Sequence, residues 1–374
     1  MLTPMTTTYR CPADGARAPV DAAPWCCPRC GGPWDLDFDA GSVQLAALPH
    51  RVDSLWRYAE ALPLGPPSAG LGEGRTPLVA LTPSVSAKLD FLMPTLSFKD
   101  RGAVMLVELA RRLGPERVRR VIADSSGNAG TAVAAYCARA GLPCVVYVPE
   151  ATSPKKTEQI RAHGARLERV AGDREATALA ARAAADEPGT FYASHVHNPY
   201  FLHGTKTYVY ELWEEYGGRL PETLALPVGN GTLLLGAALA VAELYGNGLI
   251  GERPALVAVQ AEAVSPLATA FHAGADDLPP RRETATATAP TLAEGIAIPR
   301  PPRARQILRA VRDSGGTFLT VTENQLRAAQ RDLAARGLFV EPTGVACWAA
   351  MSGWTDGPAV VPLCGAGAKT GLSA

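Results

Sequence analysis

Val118-Arg119-Arg120-Val121-Ile122-Ala123-Asp124-Ser125-Ser126-Gly127-Asn128-Ala129-Gly130 reads as a strand that runs into a turn of small and polar residues. Its end, Val121-Ile122-Ala123, is apolar enough to be buried. A helix of small residues follows over 131–140. Next come a strand at 143–148, a helix starting at Pro154 and running through 165, a strand at 167–170 and an Ala-rich helix at 175–186. This alternation means βαβ units and a parallel sheet covered on both faces. Ligands of such sheets sit at the carboxyl ends of the strands. Residues 125–130 form such an end. Their glycines let the backbone approach, and N–H groups with the serine hydroxyls suit a carboxylate.

The second half repeats the logic. Residues 223–228 read as a strand, Gly229-Asn230-Gly231-Thr232 as its turn, and 233–244 as a helix. A Gly-rich turn from strand to helix presents N–H groups to a phosphate. It has neither the Gly-Lys-Ser/Thr of a Walker loop nor Gly-x-Gly-x-x-Gly, so a monophosphate suits it better than a nucleotide. A strand is expected at 256–260 and helices with Arg-rich outer faces at 306–313 and 323–337. Residues 284–290 lack large side chains and read as a surface loop. A last buried strand, 360–363, ends in Cys364-Gly365-Ala366-Gly367-Ala368-Lys369. Near the start, Gly72-Glu73-Gly74-Arg75-Thr76-Pro77-Leu78 is a turn-rich stretch before a short strand at 78–81.

Ser97-Phe98-Lys99-Asp100-Arg101-Gly102 holds one of only six lysines in 374 residues. Ser97, with Asp100 three residues on, reads as a helix start. A lysine there lies near the positive end of a helix dipole, which disfavours its protonated form. An amine must be neutral to attack a carbonyl, so this position suits a Schiff-base lysine. The plainer alternative is a surface lysine at a helix cap. Four stretches together argue otherwise: a reactive lysine, a carboxylate loop, a phosphate loop and a small polar residue at a strand end. Pyridoxal 5′-phosphate needs these four things.

Composition bounds the rest. The length predicts two domains and an appendage. With 47% hydrophobic and 19% charged residues, and 36 basic against 36 acidic, the chain is globular with no basic field for nucleic acid or an anionic membrane. No apolar run is long enough to span a bilayer, and residues 1–10 lack the apolar core of a signal peptide. A cytoplasmic location with reduced cysteines is expected. The first forty-five residues hold four of the eight cysteines: Cys11, Cys26, Cys27 and Cys30. Cys27-Pro28-Arg29-Cys30 is a knuckle with zinc-ligand spacing. Opposite it, Cys11-Pro12-Ala13-Asp14-Gly15 has an aspartate where a second cysteine would close a Cys₄ ribbon. Asp14 or Cys26 is then the fourth ligand of a structural zinc on Cys11, Cys27 and Cys30, or the ribbon folds without metal.

These motifs resemble fold-type II pyridoxal-phosphate enzymes, most closely the threonine synthase branch, over nearly the whole chain. The resemblance implies an α/β, tryptophan synthase β-like fold of two domains, with parallel sheets covered by helices. It divides the chain into a ribbon-like segment at 1–45, a large cofactor-binding domain at 46–100 and 209–374, and a small mobile domain at 101–208. It implies that Lys99 carries the cofactor and later removes the substrate's α-proton, with Phe98 packing near the ring. Ser125, Ser126, Gly127 and Asn128 are similar to the loop that binds the substrate carboxylate, Asn128 also reaching the cofactor's ring hydroxyl. Gly229, Asn230, Gly231 and Thr232 resemble the phosphate loop. Cys364 stands where a Thr or Ser faces the pyridine nitrogen, and a neutral thiol there makes the ring a weaker electron sink. A homodimer follows from the resemblance alone.

Substrate is where the pattern departs. Relatives hold the phosphate of O-phosphohomoserine partly with an Asn-Ser pair and an arginine around Asn-Pro-x-Arg. The matching stretch, 193–206, has His195 and Val196 at the pair and Phe201 at the arginine. An aromatic cannot pair with a phosphate. Lys206, or His195, His197 and His203, are the replacements on offer, though each also suits a structural role. Ser125-Ser126-Gly127-Asn128, Thr291-Leu292-Ala293-Glu294-Gly295-Ile296-Ala297 and Glu341-Pro342-Thr343-Gly344 are similar to dehydratase segments. The expectation is a lyase or synthase acting on a small amino acid by α-proton removal and loss or replacement of a β- or γ-group. Threonine formation from O-phosphohomoserine is the first candidate, and serine/threonine dehydration or β-replacement is the alternative. A nucleotide-binding regulatory module and a non-catalytic scaffold are the readings from other classes. The first leaves Lys99 with Cys364-Gly-x-Gly unexplained, and the second would fit altered residues at Lys99 or Asn128.

Overall fold

The computed structural model describes residues 7–68, 70–280 and 290–373. All but Pro290 of the loop expected at 284–290 lies outside the described residues. In chain order the elements are β1 (Thr8–Arg10), β2 (Arg17–Pro19), β3 (Asp35–Asp37), β4 (Leu78–Ala80), β5 (Val85–Lys88), α1 (Lys99–Leu113), β6 (Arg120–Ala123), α2 (Asn128–Ala140), β7 (Cys144–Pro149), α3 (Pro154–Ala162), β8 (Arg166–Val170), α4 (Arg174–Ala185) and β9 (Thr190–Tyr192). There follow α5 (Tyr200–Thr205), α6 (Thr207–Glu215), β10 (Thr223–Pro227), α7 (Thr232–Gly246), β11 (Ala255–Ala261), α8 (Pro266–His272), α9 (Ala304–Asp313), β12 (Thr317–Val321), α10 (Glu323–Ala335), α11 (Ala346–Met351) and β13 (Ala359–Pro362). None of the described helices is long and apolar enough to cross a membrane.

The chain forms two compact units, Met1–Gly74 with Lys99–Thr205, and Arg75–Phe98 with Lys206–Ala374. The divisions fall at 74/75, 98/99 and 205/206, where the sequence reading put 45/46, 100/101 and 208/209. Residues 46–74 group with the first unit because they are tied to its helices. Arg112 of α1 donates to Gly65 O at 3.0 Å, and Tyr136 of α2 donates to the Glu73 carboxylate at 3.2 Å.

In the first unit, β8-β7-β6-β9 form a parallel sheet. Val121 of β6 sits opposite Cys144 and Phe191, so the apolar strand end foreseen in the sequence is the middle of the sheet. A second sheet, β2-β1-β3, is antiparallel and built from three-residue strands. Helix α1 crosses α5 closely. A Cβ on Gly102 would lie 2.4 Å from the Phe201 ring, so only glycine admits that aromatic.

The second unit holds the sheet β12-β11-β10-β13-β5-β4, parallel but for the edge strand β4. β13, last in sequence, is central and pairs with both β10 and β5. Lys88, at the end of β5, is wholly buried. It donates to Thr76 O, and its Nζ lies 3.0 Å from Glu211 Oε2 and 2.7 Å from Glu215 Oε1.

One local expectation is corrected. Helix α1 begins at Lys99 with Asp100 in its first turn, but Ser97 does not cap it. Ser97 is still extended, bridging Gly365, and its Oγ is buried without a hydrogen-bond partner. Pairing with the segment after β13 takes the backbone that a cap would need.

Candidate active site

The first unit carries the lysine and the carboxylate loop. Lys99 is half-buried at the first position of α1, its Nζ 5.7 Å from the centroid of the Phe201 ring. β6 ends before Ser125-Ser126-Gly127, and α2 starts at Asn128 with no side chain capping it at Gly127. The turn is held by the Gly127 N–H donating to Ser125 Oγ at 3.3 Å. It is also tight. A Cβ on Gly130 would lie 1.8 Å from Ser125 O, so the third residue of α2 has to be glycine. The arrangement is an uncapped helix N-terminus beside hydroxyls, which fits a carboxylate.

His195 stands beside the same lysine, in edge contact with Phe201 at 5.8 Å between centroids. Desolvation, then the charges of Lys99 and Arg174, hold its imidazole well below the ordinary value of 6.5. It is therefore neutral at pH 7 and supplies no cation to an anionic substrate. The linkage has a definite sign. The folded value is depressed, so the unfolded chain takes up a proton that the folded chain refuses once the pH falls below about 6.5. We expect the melting temperature to fall from pH 7.5 to 5.5, and the fall to be shallower in His195→Gln, by up to about 1.4 kcal/mol per pH unit. Parallel slopes in thermal melts would refute this. His197 and His203 are buried in structural contacts: Ser194 Oγ lies 3.1 Å from His197 Nδ1, and Phe38 meets His203 edge-on at 5.4 Å.

The second unit carries the phosphate loop and the cysteine. β10 leads into Gly229-Asn230-Gly231, and α7 starts at Thr232 with no side-chain cap. Gly231 has φ +73°, and a Cβ there would lie 2.4 Å from Ile307. Gly229 packs against residues 295–298, and the Gly295 N–H donates to Thr343 Oγ1 at 3.0 Å. Two of the three dehydratase-like segments, 291–297 and 341–344, thus meet behind this loop, a juxtaposition invisible in the sequence. Cys364 is buried after β13, its Sγ 3.9 Å from Pro362 O, and its carbonyl accepts from the Phe98 N–H at 3.0 Å. Lys99 is the next residue in the chain. Phe98 itself is buried. A 15-residue helix with no side-chain cap, behind a glycine turn that admits no Cβ, fits a phosphate, and a small polar side chain at a strand end fits a pyridine nitrogen.

Lys206, offered by the sequence as a substrate ligand, is engaged elsewhere. It is fully buried with Nζ 2.6 Å from Glu243 Oε1, and Tyr210 donates to the same carboxylate at 2.9 Å. Burial pushes its amine down to about 8, against the pull of Glu243. Its charge is matched inside the fold. The sequence also passed over Glu73. Its buried carboxylate accepts from Trp56 Nε1 at 2.6 Å, from the Leu71 N–H at 2.8 Å and from Tyr136, pinning the turn at 70–74 to α2. An acidic residue between two glycines was the only signal, and its partners lie 17 and 63 residues away.

A third cluster sits in the small antiparallel sheet. Cys11, Asp14, Cys27 and Cys30 offer four ligand atoms within 4.8 Å of one another. Cys11 Sγ is 3.5 Å from Cys30 Sγ, and Cys27 Sγ is 3.5 Å from Asp14 Oδ2. A tetrahedron of zinc–sulfur bonds spaces its ligands about 3.8 Å apart, so the donor set fits such an ion. The fourth member is Asp14; Cys26 is outside the group.

Similarity to known proteins identifies the family. The model of the family described as pyridoxal-phosphate dependent enzyme matches residues 70–365. The threonine synthase of Methanosarcina acetivorans is 30% identical over 359 residues, covering 93% of this chain and 86% of that protein. The threonine synthase of Methanocaldococcus jannaschii is 31% identical over 349 residues, covering 89% and 84%. Among solved structures, a T.th. threonine deaminase superposes with a TM-score of 0.62 at 29% identity, over 75% of this chain and 87% of that one. Maize serine racemase, at 20% identity and a TM-score of 0.64 over 78% and 88%, shares the fold. The chain therefore belongs to the pyridoxal-phosphate dependent enzymes of fold type II, and within them to the threonine synthase family.

Proposed function

We propose that this chain is a lyase or synthase of the threonine synthase type, acting on a small amino acid at its α-carbon and at a β- or γ-leaving group. Gly229, Asn230, Gly231 and Thr232 would hold the cofactor's phosphate, Cys364 would serve its ring nitrogen, and Lys99, Phe98 and Asn128 would hold the rest. Bound pyridoxal phosphate supplies an electron sink for the electron pair of the α-carbon. Ser125, Ser126, Gly127 and Asn128 orient the substrate by its carboxylate. The Lys99 amine takes the α-proton, and the same amine returns a proton where the product needs one. The observation that carries the reading is the lysine at the first turn of α1, in the same unit as the uncapped serine-glycine turn before α2.

O-phosphohomoserine is the first candidate substrate, since the relatives named above are threonine synthases. A second reading, elimination or β-replacement without a substrate phosphate, is favoured by Phe201. That ring is fully buried against Gly102 and beside Lys99, where an arginine would serve a phosphate, and the neighbouring His195 is neutral. The test is a panel of substrates on the cofactor-loaded enzyme: O-phosphohomoserine, threonine, serine and O-acylated or O-phosphorylated serine, following phosphate, 2-oxo acids and amino-acid products together. Threonine and phosphate from the first establish the first candidate. A 2-oxo acid or a replaced side chain from another, with no turnover of the first, establishes the second. A chain that binds the cofactor and turns over nothing would be a scaffold.

A further inference from the structure

The ribbon touches the site segment through Tyr9, Trp25 and Trp34. Tyr9 of β1 stacks on Trp34 at 5.7 Å and meets Tyr200 edge-on at 6.4 Å. Asn198 donates to the Tyr9 hydroxyl at 3.4 Å, and the backbone N–H of Trp34 donates to His197 O at 3.0 Å. Trp25 lies edge-on to both Tyr192 and His197, at 5.7 and 5.3 Å, and its Nε1 donates to Asp186 at 2.8 Å. These contacts cover residues 192–200 on either side of His195, and the segment ends in Phe201. The ribbon is therefore the outer support of the two side chains that flank Lys99.

The support has little to hold itself together. Each of its strands is three residues long, and its knuckles are turns closed by Gly15 N–H to Cys11 O and Gly31 N–H to Cys27 O. The cysteines are unbridged. So small a module needs a staple.

We infer that one divalent ion of the zinc class binds Cys11, Asp14, Cys27 and Cys30, and that it keeps the ribbon seated on residues 192–201, fixing His195 and Phe201 beside Lys99. Binding forms three metal–thiolate bonds and one metal–carboxylate bond, and releases the thiol protons to solvent; no electrons move. Asp14 makes the set one oxygen and three sulfurs, and couples both knuckles because its carboxylate reaches the Cys27 thiol. The inference rests on the zinc reading of the ribbon. Its kinetic arm alone rests on Lys99 as the active lysine.

The experiment uses the full chain with its cofactor. Metal analysis is expected to find about one zinc per chain, lost in Cys27→Ser and retained in Asp14→Cys, which completes a four-thiolate set. Because Cys27→Ser can simply fail to fold, the wild type is also stripped with a chelator and reloaded with Zn²⁺. Hydrogen exchange of the backbone amides at 194–201 is expected to speed up about tenfold or more on stripping and recover on reloading, while exchange in β10 and β11 stays unchanged. With a substrate in hand, kcat/KM falls and recovers in step, without change in the cofactor's absorbance. Absence of metal, or stripping that leaves exchange at 194–201 unchanged, overturns the inference. Faster exchange with no effect on kcat/KM upholds the brace on residues 192–201 and overturns its bearing on the chemistry beside Lys99.

Discussion

Lys99→Ala is expected to lower turnover of any accepted substrate by roughly 10²- to 10⁴-fold, the range of a positioned general base. It is also expected to abolish fixation of the cofactor by borohydride on the peptide that spans residues 97–101. The variant should fold. Lys99 is half-buried at the first turn of α1, alanine is the best helix former, and the Gly102–Phe201 contact that packs α1 on α5 does not involve the amine. Near-wild-type melting with lost activity separates chemistry from folding. Lys99→Arg sharpens the result, since it keeps a cation near the Phe201 ring but offers no nucleophilic amine. Retained turnover or retained yellow colour fixed by borohydride in either variant would mean that another group is the lysine of this site.

The second large effect is on stability. Lys88→Met is expected to cost about 3–5 kcal/mol, because it breaks a buried ion cluster by removing its only cation shown in contact with both carboxylates. Glu211 is as fully buried as Lys88, while Glu215 keeps some exposure. For a chain of 374 residues that corresponds to a drop of roughly 4 to 6 °C in melting temperature. Burial already raises the Glu215 carboxyl above its ordinary value, and Lys88 pulls it back. Without the lysine it rises further. A carboxyl whose folded value is raised adds stability at low pH and loses it as the pH rises through that value. The deficit of Lys88→Met is therefore larger at pH 8 than at pH 5. Adding Glu211→Gln should recover part of the loss, since it removes one of two carboxylates left facing each other. A single variant within about 1 kcal/mol of wild type, or a deficit independent of pH, would show that water reaches these groups.

Much of this was legible locally. The alternation of apolar runs with small-residue helices named the parallel sheets, because strand and helix periods are written in neighbouring residues. Two glycine-rich turns after buried strands, and a lysine opening an amphipathic run, marked three of the four parts of the candidate site. Those features are local because a turn that admits no Cβ, or a helix that starts at a given residue, is decided within a few positions. The failure of Ser97 as a cap is instructive. Its spacing to Asp100 was right, but its backbone was claimed by Gly365, far along the chain.

By itself the sequence determined the fold class, the turns and the candidate lysine, since each follows from the conformational freedom of residues close in the chain. Only the tertiary structure decided which groups remain available for chemistry. It placed β13 between β10 and β5, brought Asp14 rather than Cys26 to the thiols, and seated Phe201 on Gly102 beside Lys99. It also matched Lys206 to a glutamate 37 residues away. The reason is physical. A charge, thiol or aromatic ring is defined by its surroundings, and burial assembles those surroundings from parts of the chain that share no local pattern.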